Sequence, residues 1–223
     1  MEPQRKHFFL DSRNFIGDSP AKSYICFMKK IAVFASGSGS NAENLIRYFN
    51  IAHAATSIRV GLIVTNRPDA YVLERARQLN VPHRIIDRNT FYDQPLSVLN
   101  LLSESSIDYI VLAGFLWLVP PYLMAAYPNR MVNIHPALLP AFGGKGMYGM
   151  HVHRAVIAHG AQESGITIHV VDEQYDHGSH LFQARCRVEA GETPESLSEK
   201  IHALEHEYFP KVVADWINGK LPL

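Results

Sequence analysis

The sequence predicts an α/β fold: a mostly parallel, twisted sheet with helices on both faces. Short runs rich in β-branched residues alternate with helix-length segments from residue 31 onward. Those runs are continuously apolar, as in parallel strands that are buried on both sides. The 223 residues are 47% apolar and 19% charged, which is ordinary for a folded domain. We therefore expect one folded domain over residues 29–223.

The predicted elements follow from apolar periodicity and turn signals. The strands are expected at residues 31–35, 58–65, 83–86, 109–113, 131–135, 166–171 and 181–188. The helices are expected at residues 41–49, 70–79, 91–105, 121–127, 151–159 and 194–218. Pro95 is placed in the first turn of the third helix, where a missing N–H costs little. Thr193 is the expected N-cap of the last helix, and Gly219 follows its end.

Residues 1–28 differ from the remainder in composition. They mix charged residues and serines with short aromatic clusters, and they contain no apolar stretch of signal-peptide length. Met28 stands directly before the first predicted strand. We interpret residues 1–28 as a dispensable N-terminal extension, with an additional packed element as the alternative. We expect the protein to be cytoplasmic.

Charge and cysteine content exclude several classes of protein. The chain has 21 basic and 21 acidic residues, so no wide cationic face is available for nucleic acid or an anionic membrane. Two cysteines cannot build a disulfide framework or a four-cysteine zinc site. The longest apolar run, residues 109–119, is too short to span a bilayer. We expect small-molecule partners and a monomer or homodimer.

A glycine-rich loop, residues 36–41, follows the first predicted strand and opens the first helix. Glycines let the backbone approach a ligand, and the N–H groups of a helix N-terminus attract phosphate. The pattern favours a phosphate site, and a purely structural turn is the alternative. A dinucleotide site is disfavoured, because residues 64–66 at the end of the second strand contain no carboxylate.

Asn133 and His135 are two residues apart on a strand and therefore project to the same side. An amide N–H and a protonated imidazole together suit a tetrahedral oxyanion, and the imidazole can also act as an acid. A single histidine on a strand is more often a core residue, but this one ends the strand before a loop rich in proline and glycine. If the later polar loop folds back, Asp176 can hold His135 in its charged form.

These motifs, in this order, resemble those of the folate-dependent formyltransferases, and among them the phosphoribosylglycinamide formyltransferases. The similarity extends over about residues 28–220, and its most specific part is Asn-x-His-Pro-x-Leu-Leu-Pro, residues 133–140, with a later loop aspartate. The resemblance implies a Rossmann-like formyltransferase fold. It also implies transfer of the formyl group of 10-formyltetrahydrofolate to the amine of 5-phosphoribosylglycinamide in de novo purine biosynthesis. The amine would attack directly, through a tetrahedral intermediate.

The resemblance also implies roles for individual residues. The catalytic residues would be Asn133, His135 and Asp176. The ribonucleotide would be bound by Gly39, Ser40, Asn41 and Glu205, the first three at its phosphate and Glu205 at its glycinamide part. The folate would be bound by Leu116, Trp117, Leu118, Val119, Asn133, Asp172 and Asp176. No metal is implied, and Gln94 stands where the family often has a folate-binding arginine.

Other readings remain open at this point. Residues 202–206 spell the His-x-x-Glu-His pattern of a zinc peptidase family, but a third ligand would have to lie within the 17 residues that follow. A formyltetrahydrofolate hydrolase would share the catalytic trio and use water as the acceptor. A methionyl-tRNA formyltransferase would need an RNA-binding domain and a basic surface. A non-catalytic nucleotide-binding module is the alternative from a different class.

Overall fold

The structure, a computed structural model, describes residues 28–222. The interpretation of the N-terminal extension therefore lies outside the described residues, except for Met28, which is exposed. The described chain forms one seven-stranded sheet in the order β3-β2-β1-β4-β5-β6-β7. Its strands are β1 (Lys29–Phe34), β2 (Ile58–Thr65), β3 (His83–Ile85), β4 (Tyr109–Leu112), β5 (Met131–His135), β6 (Glu163–Val170) and β7 (His180–Arg187).

The strand directions confirm the mostly parallel sheet. The pairs from β3 to β5 are parallel, whereas β6 is antiparallel to β5 and β7 is antiparallel to β6. The chain leaves β1 towards β2 on one side and returns to β4 on the other. In an open α/β sheet, the carboxyl ends of the strands at such a switch point form a crevice that binds ligands.

Helices cover both faces of the sheet, as predicted. They are α1 (Ser40–Ile46), α2 (Val72–Gln78), α3 (Arg88–Asp93), α4 (Pro95–Glu104), α5 (Pro121–Ala126), α6 (Met150–Ala158) and α7 (Pro194–Ile217). Alternate residues of β1 separate two cores: Ile31 and Val33 face the α1, α2, α6 and α7 side, and Ala32 and Phe34 face the α3, α4 and α5 side. No helix in the described part of the chain is long and apolar enough to cross a membrane.

The prediction of one helix over residues 91–105 was wrong. Two helices occupy this segment, and Asp87 caps the first by accepting a hydrogen bond from the Thr90 N–H at 2.7 Å. Gln94 lies between them with a non-helical backbone, because the residue before a proline is pushed out of the α region. Pro95 is therefore the first residue of α4, where its missing N–H costs nothing.

The ends of the other helices largely follow the predictions. The first helix continues beyond α1 into a π-helical turn at Arg47–Ala52. Thr193 is the N-cap of α7, and it forms a reciprocal capping box with Ser196. Gly219 follows the helix in the left-handed region, with φ of +68°. These caps fix α7, which supplies one wall of the site described next.

Candidate active site

A cavity of about 700 Å³ opens at the carboxyl ends of β1, β4 and β5, a size typical of small-molecule sites. Two loops meet there through Ser36, which follows β1. Its N–H donates to the Gly114 carbonyl at 3.0 Å, and its Oγ accepts from the Leu116 N–H at 3.0 Å. These bonds join the glycine-rich loop to the segment after β4, so both form one continuous wall.

The three predicted catalytic residues come together in this cavity. Asn133 and His135 project from β5 towards one face, and His135 is only 3% exposed. Asp176 lies in the loop between β6 and β7, which folds back over the strand ends. Its Oδ2 lies 3.3 Å from His135 Nδ1, and its Oδ1 accepts a hydrogen bond from Asn133 Nδ2 at 3.2 Å. The carboxylate thus contacts both strand residues.

The surroundings of Asp176 hold its carboxylate in the charged form. Its side chain is 10% exposed, and this burial alone would raise its pKa. The His135 ring, the His169 ring 3.6 Å from Oδ1 and the Gly144 N–H at 2.9 Å together outweigh burial and lower the pKa of Asp176 far below its ordinary value. The residue also has a φ of +55°, in the left-handed region that aspartate tolerates better than most side chains.

The glycine-rich loop of residues 143–149 lets the backbone approach this carboxylate. A Cβ at Gly143 would lie 2.5 Å from Leu139 Cδ2 and 3.3 Å from Asp176 Cβ, so a larger residue would push the loop away. Gly144 can donate its N–H to Asp176 only because the chain passes this close. The loop therefore builds the site as well as lining it.

Both ring nitrogens of His135 face an acceptor oxygen. Nε2 lies 2.8 Å from the carbonyl oxygen of Phe142, and Nδ1 faces the Asp176 carboxylate. A carbonyl and a carboxylate are both acceptors, so the ring satisfies both contacts only when each nitrogen carries a proton.

Sequence reasoning gave no role to His169, which completes this network. It pairs directly with Asn133 across β5 and β6, and its Nε2 lies 3.1 Å from Asn133 Nδ2. His169 Nδ1 lies 2.9 Å from the Val170 carbonyl, and its Nε2 lies 3.6 Å from Asp176 Oδ1. In the neutral ring with its proton on Nδ1, Nε2 is the acceptor for the Asn133 N–H. Both Asn133 N–H bonds are thus engaged, one by Asp176 and one by His169. The antiparallel register of β6 would have revealed this neighbour.

The predicted ribonucleotide residues lie at another part of the same cavity. Glu205 on α7 is 5% exposed, and its Oε2 accepts hydrogen bonds from Asn41 Nδ2 and His202 Nδ1, both at 2.9 Å. Its Oε1 accepts none from the residues described. Gly39 is the N-cap of α1, with φ of +73° and no side-chain cap. Gly39, Ser40 and Glu205 all line this cavity.

The His-x-x-Glu-His segment brings His202 and Glu205 into contact on α7. His202 bonds to Glu205, which raises the pKa of this histidine. The rings of His202 and His206 are 6.4 Å apart between centroids. Across residues 28–222, no group of three or more His, Cys, Asp or Glu side chains is arranged to hold a metal ion.

The predicted folate residues also line the cavity: Leu116, Trp117, Leu118, Val119, Asn133, Asp172 and Asp176. Trp117 packs against Phe91 and Tyr92, with ring centroids 5.5 and 5.9 Å away. The Tyr92 hydroxyl donates to the Leu118 carbonyl at 3.0 Å and fixes this wall. Asp172, in contrast, is partly exposed and lies 2.7 Å from His177 Nδ1. This end of the cavity combines an apolar wall with a polar loop.

Comparison with known proteins agrees with the architecture. The formyl transferase family model matches residues 29–213. Phosphoribosylglycinamide formyltransferase of Bacillus subtilis is 34% identical over 83% of this chain and 93% of its own length. The chloroplastic phosphoribosylglycinamide formyltransferase of Arabidopsis thaliana is 41% identical over 83% of this chain, which spans 64% of that relative's length.

Solved structures give the same result. The crystal structure of phosphoribosylglycinamide formyltransferase from Bacillus halodurans superposes with a TM-score of 0.76 at 38% identity, covering 85% of this chain and 95% of the other. That of glycinamide ribonucleotide transformylase 1 from Symbiobacterium toebii superposes with a TM-score of 0.78 at 33% identity, covering 88% and 91%. With the family model spanning the whole sheet and the cavity, the chain belongs to the formyl transferase family.

Proposed function

We propose that this protein transfers the formyl group of 10-formyltetrahydrofolate to the amine of 5-phosphoribosylglycinamide, a step of de novo purine biosynthesis. The observation that carries the proposal is the buried contact of Asp176 with both His135 and Asn133, in a cavity of about 700 Å³. The choice of substrates is supported by the similar proteins from Arabidopsis thaliana, Bacillus subtilis and Bacillus halodurans, all of which are named phosphoribosylglycinamide formyltransferase.

The ribonucleotide fits the end formed by α1 and α7. The first N–H groups of a helix have no partners within it, and here Gly39 adds no side-chain cap, so the N–H groups near Gly39, Ser40 and Asn41 suit the phosphate. Glu205 holds a buried negative charge that two donors orient through Oε2. Its Oε1 can then accept a hydrogen bond from the ribose or glycinamide part.

The folate fits the end formed by the segment after β4 and the loop before β7. Leu116, Trp117, Leu118 and Val119 offer an apolar wall to a flat ring system, and Asp172 lies on the polar side. The pterin ring carries N–H groups, and carboxylate and backbone oxygens are suitable partners for them. The formyl-bearing nitrogen would then lie beside Asn133 and His135. The resemblance places Gln94 where the family often has a folate-binding arginine. We therefore assign no residue of this chain to that contact with folate.

The residues of the trio can divide the chemistry. The amine of the ribonucleotide attacks the formyl carbon directly, and negative charge develops on the formyl oxygen. That oxygen would replace the Phe142 carbonyl as the acceptor from His135 Nε2, while Asp176 stabilises the imidazolium. One such donor in a dry site is typically worth about 3 kcal/mol. His135 can then give its proton to the folate nitrogen as the bond between that nitrogen and the formyl carbon breaks, and the proton that the attacking amine loses restores the charged form of His135. No metal or covalent nucleophile is required.

Asn133 is arranged to hold the carboxylate rather than to present a free N–H. Both of its N–H bonds are used by Asp176 and His169. To donate to the formyl oxygen, the amide would have to exchange one of them. We therefore propose that His135 is the principal oxyanion donor and that Asn133 orients Asp176 and contributes its donor as the transition state forms.

An assay of tetrahydrofolate formation, with and without the ribonucleotide, tests the function. We expect product only when the ribonucleotide is present, together with an equal amount of formylated ribonucleotide. Tetrahydrofolate and formate without an acceptor would instead identify a hydrolase. No turnover with this acceptor, but turnover with methionyl-tRNA, would identify the tRNA enzyme. Ribonucleotide binding without turnover would identify a non-catalytic nucleotide-binding module.

Three further expectations remain predictions. The division into an extension, residues 1–28, and one formyltransferase domain, residues 29–223, is supported by the family match, which begins at residue 29. We expect a monomer or homodimer, and the neutral composition argues against a nucleic-acid partner. A cytoplasmic location is unsettled by the relatives, because the Arabidopsis protein is chloroplastic.

A further inference from the structure

His153 lines the active-site cavity but takes no part in the mechanism described above. It lies on α6, is 3% exposed, and faces the space between the catalytic residues and α7. The helix packs against α7, which carries Glu205 and His202. His153 is therefore a buried polar side chain at the wall of a ligand-binding cavity.

The imidazole of His153 is not satisfied by the protein. Its Nδ1 is buried and has no hydrogen-bond partner among the described residues. A buried polar atom without a partner typically costs about 1–3 kcal/mol, whereas an apolar side chain of the same shape would cost nothing. A histidine at this position is thus unfavourable for folding alone, unless its other nitrogen binds something that the folded chain does not supply.

The charge and tautomer of this ring follow from its surroundings. Burial lowers the pKa of His153, the negative charge of Glu205 opposes this, and the rings of His202 and His135 reinforce it. The ring is consequently neutral near pH 7. A buried N–H without an acceptor is less tolerable than an unused lone pair. The single proton therefore belongs on Nε2, and Nδ1 remains an unprotonated, buried atom.

We propose that His153 is a substrate-binding residue that donates its Nε2–H to an acceptor oxygen of the bound ribonucleotide. The inference rests on the proposed function. Since the ring borders the cavity and Nδ1 is buried away from it, Nε2 is the nitrogen available to a ligand. Glu205 accepts hydrogen bonds from the same ligand, so the two residues would recognise an acceptor and a donor on one ribose–glycinamide unit.

Three substitutions at this position test the inference. His153→Phe keeps the size and removes both nitrogens. His153→Gln can place an amide N–H where Nε2 lies, whereas His153→Asn reaches only the position of Nδ1. His151→Phe is the matched control, because His151 is exposed on the same helix, does not line the cavity, and keeps its aromatic contact with Tyr148 when replaced by phenylalanine. The readouts are the ribonucleotide Kd by calorimetry, the KM of both substrates, kcat, and the melting temperature.

We expect the ribonucleotide Kd and KM to rise by roughly 5- to 100-fold in His153→Phe and His153→Asn, because the ligand oxygen loses its donor. The folate KM and kcat should change less than about two-fold, and His153→Gln should restore most of the affinity. The melting temperature of His153→Phe should equal or exceed that of the wild type. If His153→Phe does not fold, the inference is tested by comparing the ribonucleotide Kd of His153→Gln with that of His153→Asn.

Two results would overturn the inference: a wild-type ribonucleotide Kd in both the Phe and Asn variants, or better binding in Asn than in Gln. A lowered melting temperature with an unchanged Kd would identify a merely structural histidine. Failure of the proposed function is distinguishable from these outcomes. It would appear as wild-type protein that forms no formylated ribonucleotide, and calorimetry would still report whether His153 binds this ligand.

Discussion

Replacement of Asp176 by asparagine removes one buried negative charge and turns one of its two acceptor oxygens into an N–H donor. Asparagine has the same shape and tolerates the φ of +55° at this position, so the loop can keep its path. The Oδ2 position receives the Gly144 N–H at 2.9 Å and faces His135 Nδ1 at 3.3 Å. The amide oxygen can still accept one of these bonds, but it cannot balance the charge of an imidazolium.

The expected loss follows from what the carboxylate does. Without it, the His135 ring has no carboxylate beside it to stabilise a positive charge as negative charge develops on the formyl oxygen. An aspartate-to-asparagine change beside a catalytic histidine in serine proteases lowers turnover by about 10⁴. We expect kcat to fall by about 10²- to 10⁴-fold in Asp176→Asn, or about 3–5 kcal/mol of transition-state stabilisation. The KM of each substrate should change by no more than a few-fold.

Steady-state formyl transfer at pH 7.5, with both substrates varied, measures this effect. Asp215→Asn is the control, because Asp215 is a partly exposed α7 carboxylate, paired with Lys220, that lies outside the cavity. Exposed pairs of this kind contribute little to stability. Retention of more than about a tenth of wild-type kcat by Asp176→Asn would refute the reasoning. A large rise in KM with unchanged kcat would place Asp176 in ligand binding alone.

Four further predictions concern the nucleotide end and metal. Gly37→Leu should raise the ribonucleotide KM by about ten-fold or more, because Gly37 lies in the loop assigned to the phosphate and lines the cavity. The variant should still fold, because a Cβ at Gly37 meets nothing within 4 Å. An equal rise in the folate KM would contradict the assignment of this loop to the ribonucleotide. Gly39→Ala should instead also lower the melting temperature, because its Cβ would lie 2.5 Å from Val72 Cβ and its φ is positive, and an unchanged melting temperature would disprove the clash. Glu205 raises the pKa of His202, so the charged pair adds stability below the usual imidazole value of about 6.5 and loses it as pH rises through the raised value. The difference in melting temperature between wild type and His202→Gln should therefore be larger at pH 6 than at pH 9. A larger difference at pH 9 would contradict a stabilising ion pair between His202 and Glu205. Formyl transfer should survive exhaustive chelation with EDTA, and loss that zinc restores would show that a histidine cluster binds a metal needed for activity.

The sheet could be predicted because its information is local. The strand over residues 109–113 was placed within one residue of its observed bounds, since a buried strand is recognisable from a short apolar run. The single helix predicted over residues 91–105 missed the break at Gln94, because one periodic apolar pattern was followed across Pro95. It also began three residues after the start of α3. Asp87, three residues before Thr90, was itself a capping signal, and it would have set the start of α3 correctly.

The site was predictable in its strand residues and less so in its partners. Asn133 and His135 share a face because of the two-residue repeat of a strand, and no tertiary information is needed for that. The contacts of Phe142 and His169 with them depend on a loop path and on an antiparallel register. Both are set by packing between segments far apart in sequence. The buried Nδ1 of His153 is likewise visible only once α6 is packed.

The most direct test of the account is a double-mutant cycle on His135 and Asp176, measured as kcat for formyl transfer. If the imidazole and the carboxylate act as one unit, His135→Ala and Asp176→Asn should each cause a large loss, and the double mutant should be little worse than either alone. The coupling free energy would then nearly equal the loss caused by one substitution. Fully additive losses, with the double mutant slower by the product of the two factors, would contradict the claim that Asp176 works through His135.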